Sequence, residues 1–377
     1  TEGHSMKNNF LKALMEMSLN NYYTYYICNK DKHFYKQRKL NLLKNFIYKI
    51  MILVLEYIEV PTKKTKIKLN EKKIKSKYRD IHSLDYLYNN LADKYSKNRL
   101  VEVIYYRIFG KEKIKLLNNI YDYESIDEKL KYNILKNQGK IYIYELKRYL
   151  YCYNLNSICY NLNLFSLPIA IYLSFISKQY EYINESVRIK AEIDDYVIDA
   201  GACWGDTSLY FAHEVKDKGK VFAFEFIPNN LIIFNKNLSL NPKIKGNISL
   251  IERPLWDSSG KSFYFLDKGP GSSISDVKLS ENSVKIESIS IDDFVRNNNI
   301  DKIDFIKMDI EGAELAALKG SIATIKKHKP KLAIAIYHNI VQFLEIPRFL
   351  ISICPSYVFY FEHYTMHTFE TVLYAIV

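Results

Sequence analysis

The chain has 377 residues, 48% of them hydrophobic, and a net charge of +12, so it is long enough for two domains or for one domain with a large extension. Its longest mainly apolar stretches, 50–60 and 167–176, fall short of the roughly 20 residues that a membrane-spanning helix needs. Five cysteines without a Cys-x-x-Cys pair argue against a disulfide framework and favour a cytoplasmic protein.

Glycine and tyrosine are distributed unevenly along the chain. Nine of the 12 glycines follow residue 200, whereas 26 of the 33 tyrosines lie at or before it. Turn-forming residues are therefore concentrated in the second half. We predict a mostly helical N-terminal region over 6–183 and an α/β domain over 184–377. Residues 1–5, before Met6, are expected to be an expression-tag remnant, with no signal peptide.

Apolar residues at helical spacing predict helices over 7–28 and 35–59. The second of these helices has a wide apolar face, and packing on the rest of the protein is the preferred interpretation. A homodimer interface formed by the N-terminal helices and a membrane surface are the alternatives. Further helices are predicted over 80–180, including a pair over 83–107 with a break near Ser96.

A basic segment over 62–79 carries nine lysines and arginines against one acid. Such a run attracts anionic membranes, nucleic acids or acidic glycans. A solvated segment is the preferred interpretation, and peripheral membrane contact of a cytoplasmic protein is the alternative. Because no RNA- or DNA-reading motif accompanies the run, nucleic acid is disfavoured as a partner.

From about residue 184 the pattern alternates between strands and helices. Strands are predicted at 196–200, 220–226, 248–252, 303–309, 331–337, 357–362 and 370–377. Helices are predicted at 206–216, 228–239, 312–326 and 340–353, with an added hairpin within 261–290. Only a loop separates the last two strands. This layout predicts a class I methyltransferase fold, an α/β Rossmann-like seven-stranded sheet with an antiparallel last strand.

The most informative motif follows the first of these strands. The strand carries Asp199, and Gly201 and Gly205 then bracket a tight turn before a helix. The spacing Asp-x-Gly-x-x-x-Gly differs from the Gly-x-Gly-x-x-Gly of dinucleotide sites. It places a carboxylate before the turn, which suits a ligand with a cationic, amino-acid-like end. S-adenosylmethionine is the expected ligand, and a glycine turn without a ligand is the alternative.

Two acids further along the chain are candidates for binding an adenosine. Glu225 ends the second strand, where an acid in an open α/β sheet typically accepts hydrogen bonds from ribose hydroxyls. Asp257 follows the third strand and has the chemistry to accept from an adenine amino group. An Asp-Ser-Ser-Gly turn needs no ligand to explain it, so both interpretations of Asp257 stay open.

Asp309, Glu311 and Glu314 gather where the fourth strand ends and a helix begins. Acids at a helix start are favoured by its dipole, which is the alternative explanation. Three carboxylates exceed what capping requires. They are suited to holding a cationic sulfonium or amine, to orienting an acceptor hydroxyl or to binding a metal. We expect Glu311 and Glu314 to shape the substrate site.

A sugar hydroxyl is weakly acidic, so a general base helps its methylation. Asp309 and His338 are the candidates, because His338 ends the fifth strand on the acceptor side and a neutral imidazole accepts a proton. A strand-terminal loop residue is the alternative for His338. The donors of this group suit Mg²⁺ or Mn²⁺, but no His-x-x-x-His or cysteine cluster fixes a site, so a divalent metal stays an open question.

Residues 267–276 contain two glycines and three serines. This composition suits a mobile lid at the active site, in which Ser272 and Ser273 hydrogen-bond a polyhydroxylated acceptor. A plain hairpin loop is the alternative.

Over about residues 184–377 the chain resembles the FkbM-type methyltransferase family. The matching pieces are Asp199-Ala-Gly-Ala-Cys-Trp-Gly-Asp-Thr207, Phe224-Glu-Phe-Ile-Pro-Asn229, the pair Asn237 and Asn241, Ser288-Ile-Ser-Ile-Asp-Asp-Phe294, and Ile303-Asp-Phe-Ile-Lys-Met-Asp-Ile-Glu-Gly-Ala-Glu-Leu315 with Leu318-Lys-Gly320. Cys203 and Trp204 depart from the small or polar residues that are usual within the turn.

The resemblance implies S-adenosylmethionine-dependent O-methylation, often of sugars in surface glycans or of specialised metabolites. The residues then expected to bind the cofactor are Asp199, Gly201, Trp204, Gly205, Thr207, Glu225 and Asp257. The expected acceptor is a small molecule or a carbohydrate, such as a surface glycan or its precursor. Two other functions compete with this one: a scaffold or membrane-docking protein with a relic methyltransferase fold, and an RNA methyltransferase.

Overall fold

The computed structural model describes residues 9, 10, 13, 84–109, 126, 129–278, 280–365 and 367–377. Four predicted features lie outside the described residues: the expression-tag remnant, the helix over 35–59, the basic segment and all of the helix over 7–28 except its three described residues. The chain divides into two compact units, Thr1–Asn89 with Leu100–Leu116, and Asn90–Arg99 with Leu117–Val377. All the candidate site residues belong to the second unit.

The region before residue 184 contains strands as well as helices. Its elements in chain order are a helix over 84–90, α1 (Lys94–Phe109), 3₁₀ turns at Lys131–Asn133, Lys136–Gln138 and Asn156–Ile158, strands β1 (Lys140–Ile143), β2 (Arg148–Asn154) and β3 (Asn163–Ser166), α2 (Pro168–Ile171), a π turn at Tyr172–Ile176, and strand β4 (Tyr182–Ile183). The break between the first two helices lies at 91–93, ahead of the predicted position, and Asp93 caps α1 by accepting from the backbone nitrogen of Ser96 at 2.6 Å.

Strands β1, β2 and β3 form a small antiparallel sheet in that order, where the sequence pattern predicts only helices. The correction has a physical reason. Tyrosine alternates with Ile, Leu or Cys along β1 and β2, and tyrosine counts as apolar in a hydrophobic pattern. The period of two, which marks a strand, is therefore hidden by tyrosines on the outer face.

The remaining elements follow in chain order: β5 (Arg188–Ile189), β6 (Tyr196–Ala200), α3 (Asp206–Val215), β7 (Lys220–Phe224), α4 (Pro228–Ser239), α5 (Pro242–Lys245), β8 (Ile248–Ile251), β9 (Ser262–Phe265), β10 (Ile274–Ser275), β11 (Val284–Glu287), α6 (Ile291–Asn297), β12 (Phe305–Met308), α7 (Glu314–Lys319), α8 (Ile322–His328), β13 (Lys331–Ala335), α9 (Gln342–Ile353), β14 (Val358–His363) and β15 (Thr371–Ile376). Strands β9, β10 and β11 form a separate antiparallel sheet within the predicted hairpin region.

Seven strands form the central sheet, in the order β14-β15-β13-β12-β6-β7-β8. Strand β15 runs antiparallel to both of its neighbours, and the other pairs are parallel. The predicted class I methyltransferase sheet is thus confirmed, and each predicted strand agrees with an observed one to within two residues at each end. The predicted helix over 312–326 is two helices, because the chain turns at Gly320, where a Cβ would lie 2.1 Å from the backbone oxygen of Trp256.

Strands β7 and β8 lie on one side of β6, and β12 and the later strands lie on its other side. The chain therefore switches from one half of the sheet to the other between the neighbouring parallel strands β6 and β12. Ligands of open α/β sheets bind in the crevice at the carboxyl ends of such a pair. The glycine turn follows β6 and the acidic loop follows β12, so the two strongest sequence motifs meet at this crevice. Among the helices described, none combines the length and apolarity needed to cross a membrane.

Candidate active site

Two glycines shape the turn that follows β6. Gly201 has a φ of +80°, and a Cβ there would lie 1.9 Å from the backbone oxygen of Asp309. Gly205 has a φ of +83°, and a Cβ there would lie 2.9 Å from the ring of Phe234. Glycine is required at both positions because a side chain has neither the conformational freedom nor the room. The close approach at Gly201 brings the turn after β6 against the loop after β12.

Asp199 lies behind this turn and is completely buried. Its Oδ2 accepts hydrogen bonds from the hydroxyls of Thr207, at 2.8 Å, and Ser208. Its Oδ1 lies 3.0 Å from Nζ of Lys307. Asp199 lines neither of the two cavities described below, so the structure does not bring it to the position of a direct cofactor ligand.

Lys307 is a site residue that the sequence motifs did not identify. Its side chain is only 1% exposed, and its Nζ donates to the backbone oxygens of Ala200 at 3.0 Å and Gly201 at 2.6 Å. The signal that could have found it is a single lysine inside an otherwise apolar strand. A buried lysine needs a carboxylate partner, and Asp199 is the residue paired with it on β6.

The first of two cavities at the crevice has a volume of about 70 Å³ and is lined by Glu225, by apolar residues such as Phe226 and Leu255, and by Gly269 and Ser273 of the 267–276 loop. Glu225 Oε1 accepts from the backbone nitrogens of Phe226, at 2.7 Å, and Ile227, at 2.8 Å. Burial raises the pKa of Glu225, against the effect of these hydrogen bonds. The structure thus places Glu225 at the end of β7, facing a cavity with apolar walls.

Trp204 connects the glycine turn to Glu225. Its Nε1 donates to Oδ1 of Asn230 at 3.1 Å, and Nδ2 of Asn230 donates to Oε2 of Glu225 at 3.2 Å. The Trp204 ring packs in a cluster with Leu150 and Cys152 of the small sheet. Trp204 lines the second cavity. It orients Glu225 through Asn230, and Asn230 is a further site residue that the sequence motifs did not identify.

The second cavity has a volume of about 320 Å³ and shares Gly201, Cys203, Pro270 and Asp309 with the first. Besides Asp309, its charged lining residues are Asp206, Glu370 and Lys307. Three acidic side chains therefore share this cavity with one lysine.

Two of these acids were not predicted. Asp206 accepts a hydrogen bond from the hydroxyl of Ser174 at 2.8 Å, and burial raises the pKa of Asp206. Glu370 accepts from the side-chain amide of Gln179. Burial, reinforced by the charge of Asp309, raises the pKa of Glu370. Asp206 lies within the motif at 199–207 but was not singled out there, whereas Glu370 belongs to no recognisable local motif and is brought to the cavity by the tertiary fold.

Asp309 lines both cavities and is held by two tyrosines. The hydroxyl of Tyr180 donates to its Oδ2 at 2.9 Å, and the hydroxyl of Tyr337 donates to its Oδ1 at 3.1 Å. Nε2 of His338 lies 3.4 Å from Asp309 Oδ1. The structure therefore brings together the two residues predicted to be the acid–base pair.

His338 is surrounded by three carboxylates. Its Nδ1 lies 3.1 Å from Glu314 Oε1, and its Nε2 lies 3.5 Å from Glu311 Oε2 and close to Asp309. Burial alone would lower the pKa of His338, but Glu314, Asp309 and Glu311 together raise it to about 9. The imidazole is therefore protonated at neutral pH, whereas the sequence-based prediction assumes a neutral ring.

Glu311 and Glu314 have different environments. Glu314 is completely buried and accepts from the backbone nitrogen of Ile310 at 2.9 Å. Burial alone would raise the pKa of Glu314, but His338 and the backbone donors lower it. Glu311 is 37% exposed, has a φ of +54° and lines the first cavity. Burial is the main reason that the pKa of Glu311 is raised to about 7. The charge of Asp309 raises this pKa further, and His338 lowers it.

Asp309, Glu314 and His338 are close enough together for a metal ion, since one donor atom from each lies within 4.8 Å of the others. Glu314, however, already accepts from the backbone nitrogens of Ile310 and Gly312 and from the side-chain amide of Gln342. The cluster is therefore three carboxylates around a largely buried imidazole, whose ring nitrogens lie at ion-pair distance from them but make no hydrogen bond within the described part of the chain.

The other predicted residues occupy different places. Asp257 lines neither cavity and pairs with Nζ of Lys261 at 2.7 Å. Thr207 lines the second cavity, although its hydroxyl donates to Asp199. Ser272 and Ser273 line the first cavity, and the hydroxyl of Ser272 donates to the backbone of its own loop.

Comparisons with known proteins find methyltransferases. Residues 199–361 match the Methyltransferase FkbM domain. Hexuronic acid methyltransferase AglP of Haloferax volcanii is 31% identical to the chain over 132 residues, which is 35% of this chain and 52% of AglP. Methyltransferase sdnD of Sordaria araneosa is 28% identical, covering 33% of this chain and 60% of sdnD. The chain thus spans about half to three fifths of the length of these curated relatives.

Among solved structures, the methyltransferase FkbM from Methylobacillus flagellatus is 21% identical, with a TM-score of 0.51. The likeness covers 80% of this chain and 60% of that protein, and at this level of identity it shows the fold. The predicted resemblance to the FkbM family is confirmed, and residues 199–361 are a methyltransferase domain.

Proposed function

We propose that this chain, whose residues 199–361 form an FkbM methyltransferase domain, is an S-adenosylmethionine-dependent O-methyltransferase acting on a carbohydrate hydroxyl. The observation that carries the proposal is the pair of connected cavities where the turn after β6 meets the loop after β12. One cavity offers Glu225 against apolar walls, and the other offers an excess of carboxylates. These features match the two ends of S-adenosylmethionine.

The residues that line the first cavity suit the adenosyl end in this proposal. Glu225 is held by two backbone nitrogens and by Asn230, so its carboxylate is fixed in orientation before a ligand binds. A fixed carboxylate at the end of the second strand is suited to accept from ribose hydroxyls. Phe226 and Leu255 supply apolar surface for the adenine ring.

The methionyl end fits the second cavity. Asp206, Asp309 and Glu370 face one lysine there, and burial raises the pKa of Asp206 and of Glu370. A raised pKa means that these carboxylates lack sufficient cationic partners in the free protein. A ligand that carries an ammonium and a sulfonium supplies the missing positive charge.

Asp199 acts on the cofactor indirectly in this proposal. It anchors the start of α3 through Thr207 and Ser208, and it neutralises Lys307, whose Nζ holds the backbone oxygens of Ala200 and Gly201. The buried pair therefore sets the shape of the turn against which the cofactor lies. Asp199 is a positioning residue, in place of the direct ligand that the sequence predicts.

The methyl transfer itself is an in-line displacement. The acceptor oxygen forms a bond to the methyl carbon while the bond from carbon to sulfur breaks, and S-adenosylhomocysteine leaves with the sulfur electron pair. Alignment of the two reactants supplies most of the acceleration. The hydroxyl proton must go to a base, and the best base has a pKa near the working pH.

Glu311 meets this requirement better than the two residues predicted from the sequence. Its pKa is raised to about 7, it lines the first cavity beside Asp309, and it lies 3.5 Å from the imidazolium of His338. Its positive φ is unusual for a glutamate, and such backbone strain clusters at functional sites. We assign Glu311 as the proton acceptor and His338 as the cation that keeps it ionised.

Two points support a carbohydrate acceptor. AglP, a relative over 35% of this chain, is named a hexuronic acid methyltransferase. The acid–imidazolium group beside the cavities offers several acceptors and donors for a polyhydroxylated molecule. A decisive assay incubates the protein with S-adenosylmethionine labelled in its methyl group and with extracted glycans and nucleotide sugars. The proposal is supported if the wild-type protein transfers label to a sugar and Glu311→Gln does not. Label in RNA, or in no acceptor, overturns it.

A further inference from the structure

The small sheet before the methyltransferase domain has two chemically different faces. Along β1 and β2, Ile143, Leu150 and Cys152 point inward and pack with Trp204. The alternate positions point outward. They are Lys140, Tyr142 and Tyr149, with Tyr144 continuing the row beyond β1, whereas Tyr151 and Tyr153, further along β2, pack against the core. We call Lys140, Tyr142, Tyr144 and Tyr149 the tyrosine face.

The aromatic rings of the tyrosine face are accessible. Tyr142, Tyr144 and Tyr149 are 38%, 80% and 42% exposed. The Tyr142 ring meets those of Tyr144 and Tyr149 edge-on, with centroids 5.0 and 4.9 Å apart. Three contiguous tyrosines in solvent are unusual for a surface without a partner, because exposed aromatic clusters mark interaction sites.

The surface around these rings is strongly basic. Residues 129–151 contain six lysines and arginines and one acid, Glu145. Nζ of Lys140 lies 3.9 Å from the centre of the Tyr149 ring. Lys147 and Arg148, next to the β1–β2 turn, are also exposed. The face therefore combines aromatic rings with cations, which suits a partner that is both ring-shaped and anionic.

The tyrosine face is continuous with the active site. Leu146, in the β1–β2 turn, lines the second cavity. Glu145, beside it, accepts from Nδ2 of Asn229 at 3.2 Å and lies near Gly269, whose loop lines the first cavity. Because β1 has four residues, the tyrosine face extends roughly 13 Å from the β1–β2 turn.

We propose that the tyrosine face binds the acceptor as an anionic oligosaccharide, holding the sugars that neighbour the one being methylated. Sugar rings lie on the tyrosines, and their carboxylates pair with Lys140 and Lys147. This inference rests on the proposed function, since it extends the acceptor site of that same reaction. Single-stranded RNA is the competing occupant, and the tetrauridylate titration below distinguishes it from the oligosaccharide.

Direct binding by the 377-residue chain tests the proposal without a turnover assay. The probe is tetragalacturonate, titrated by calorimetry, with neutral maltotetraose and tetrauridylate RNA as comparisons. We expect tetragalacturonate to bind at least tenfold more tightly than either. Tyr142→Ala combined with Tyr149→Ala should weaken tetragalacturonate binding about tenfold, the usual effect of truncating aromatic anchors. The corresponding double Phe variant should bind within about threefold of wild type.

Tyr132→Ala is the matched control. Tyr132 is 83% exposed and lies near the other end of β2, where Asn133 donates to Asn154. It should bind tetragalacturonate like wild type. Affinity for S-adenosylmethionine should be unchanged in every variant, which also shows that each is folded.

The outcomes separate the two proposals. If the wild-type protein does not bind S-adenosylmethionine, the proposed function is wrong. The tetragalacturonate titration still tests the tyrosine face in that case. A wild-type protein that binds S-adenosylmethionine but not tetragalacturonate overturns this inference alone. Tighter binding of tetrauridylate, or an unchanged affinity in the double Ala variant, overturns it too.

Discussion

Lys307 and Asp199 face each other on neighbouring strands, with Nζ of Lys307 3.0 Å from Oδ1 of Asp199 and side-chain exposures of 1% and 0%. Both also hold the backbone around the glycine turn, Lys307 directly and Asp199 through the first residues of α3. The site's geometry therefore depends on a buried ion pair, of which Lys307 lines the second cavity and Asp199 lines neither.

Removing the cation of this pair should destabilise the protein strongly. Lys307→Met leaves Asp199 buried without its partner, so the free energy of unfolding should fall by about 3–5 kcal/mol in urea denaturation. Lys302→Met is the matched control. Lys302 pairs with Asp304 at 2.9 Å but is 43% exposed, so its loss should cost at most about 1 kcal/mol. Equal losses for the two variants would show that the buried pair is not a structural anchor.

A methyl group at Gly201 should impair cofactor binding. Because a Cβ there would lie 1.9 Å from the backbone oxygen of Asp309, Gly201→Ala must push apart the two loops that form the crevice. We expect the affinity for S-adenosylmethionine, measured by calorimetry, to fall by at least about tenfold. Gly246→Ala adds the same group at the end of α5, where nothing lies within 4 Å, and should leave the affinity unchanged. Wild-type affinity in Gly201→Ala would contradict the described crevice.

The predicted strands and the glycine turn agree with the structure because their signals are local. Tyr196–Ala200 is an apolar run that ends in a tight turn, and this pattern has few interpretations. Lys307 and Glu370 were not predicted as site residues because their roles depend on which strands become neighbours. The same limit applies to Asp257, whose position after the third strand resembles that of an adenine ligand, although its carboxylate pairs with Lys261.

Glu225 and Asp257 were both predicted to bind the cofactor, and the structure separates them. Glu225→Ala should weaken S-adenosylmethionine binding about tenfold or more, the value of a good hydrogen bond to a charged group. Asp257→Ala should change it by less than about twofold, since Asp257 lies outside both cavities. Calorimetric titration of both variants checks this, and a larger effect of Asp257→Ala would restore the sequence-based assignment.

The pH dependence of turnover should identify the base. With a pKa of Glu311 raised to about 7, kcat/KM should rise as pH increases through 7, because the carboxylate accepts a proton only after losing its own. Glu311→Gln should remove this rise and lower kcat roughly 10²–10⁴-fold. His338→Gln should move the rise to higher pH, because the imidazolium lowers the pKa of Glu311.

The control for this profile is Glu281→Gln, which changes an acid that is 98% exposed and pairs with Lys278, a residue that lines neither cavity. It should keep the wild-type profile. A rise that moves to lower pH in His338→Gln would show that the imidazole is not the cation that keeps Glu311 ionised.

A crystal structure of the protein grown with S-adenosylmethionine tests the central claim most directly. The account predicts the ribose hydroxyls against Glu225, the adenine beside Leu255, and the amino-acid end in the acid-lined cavity beside Asp309. A cofactor bound elsewhere, or a crevice beside Gly201 that stays empty at saturating cofactor, would contradict it.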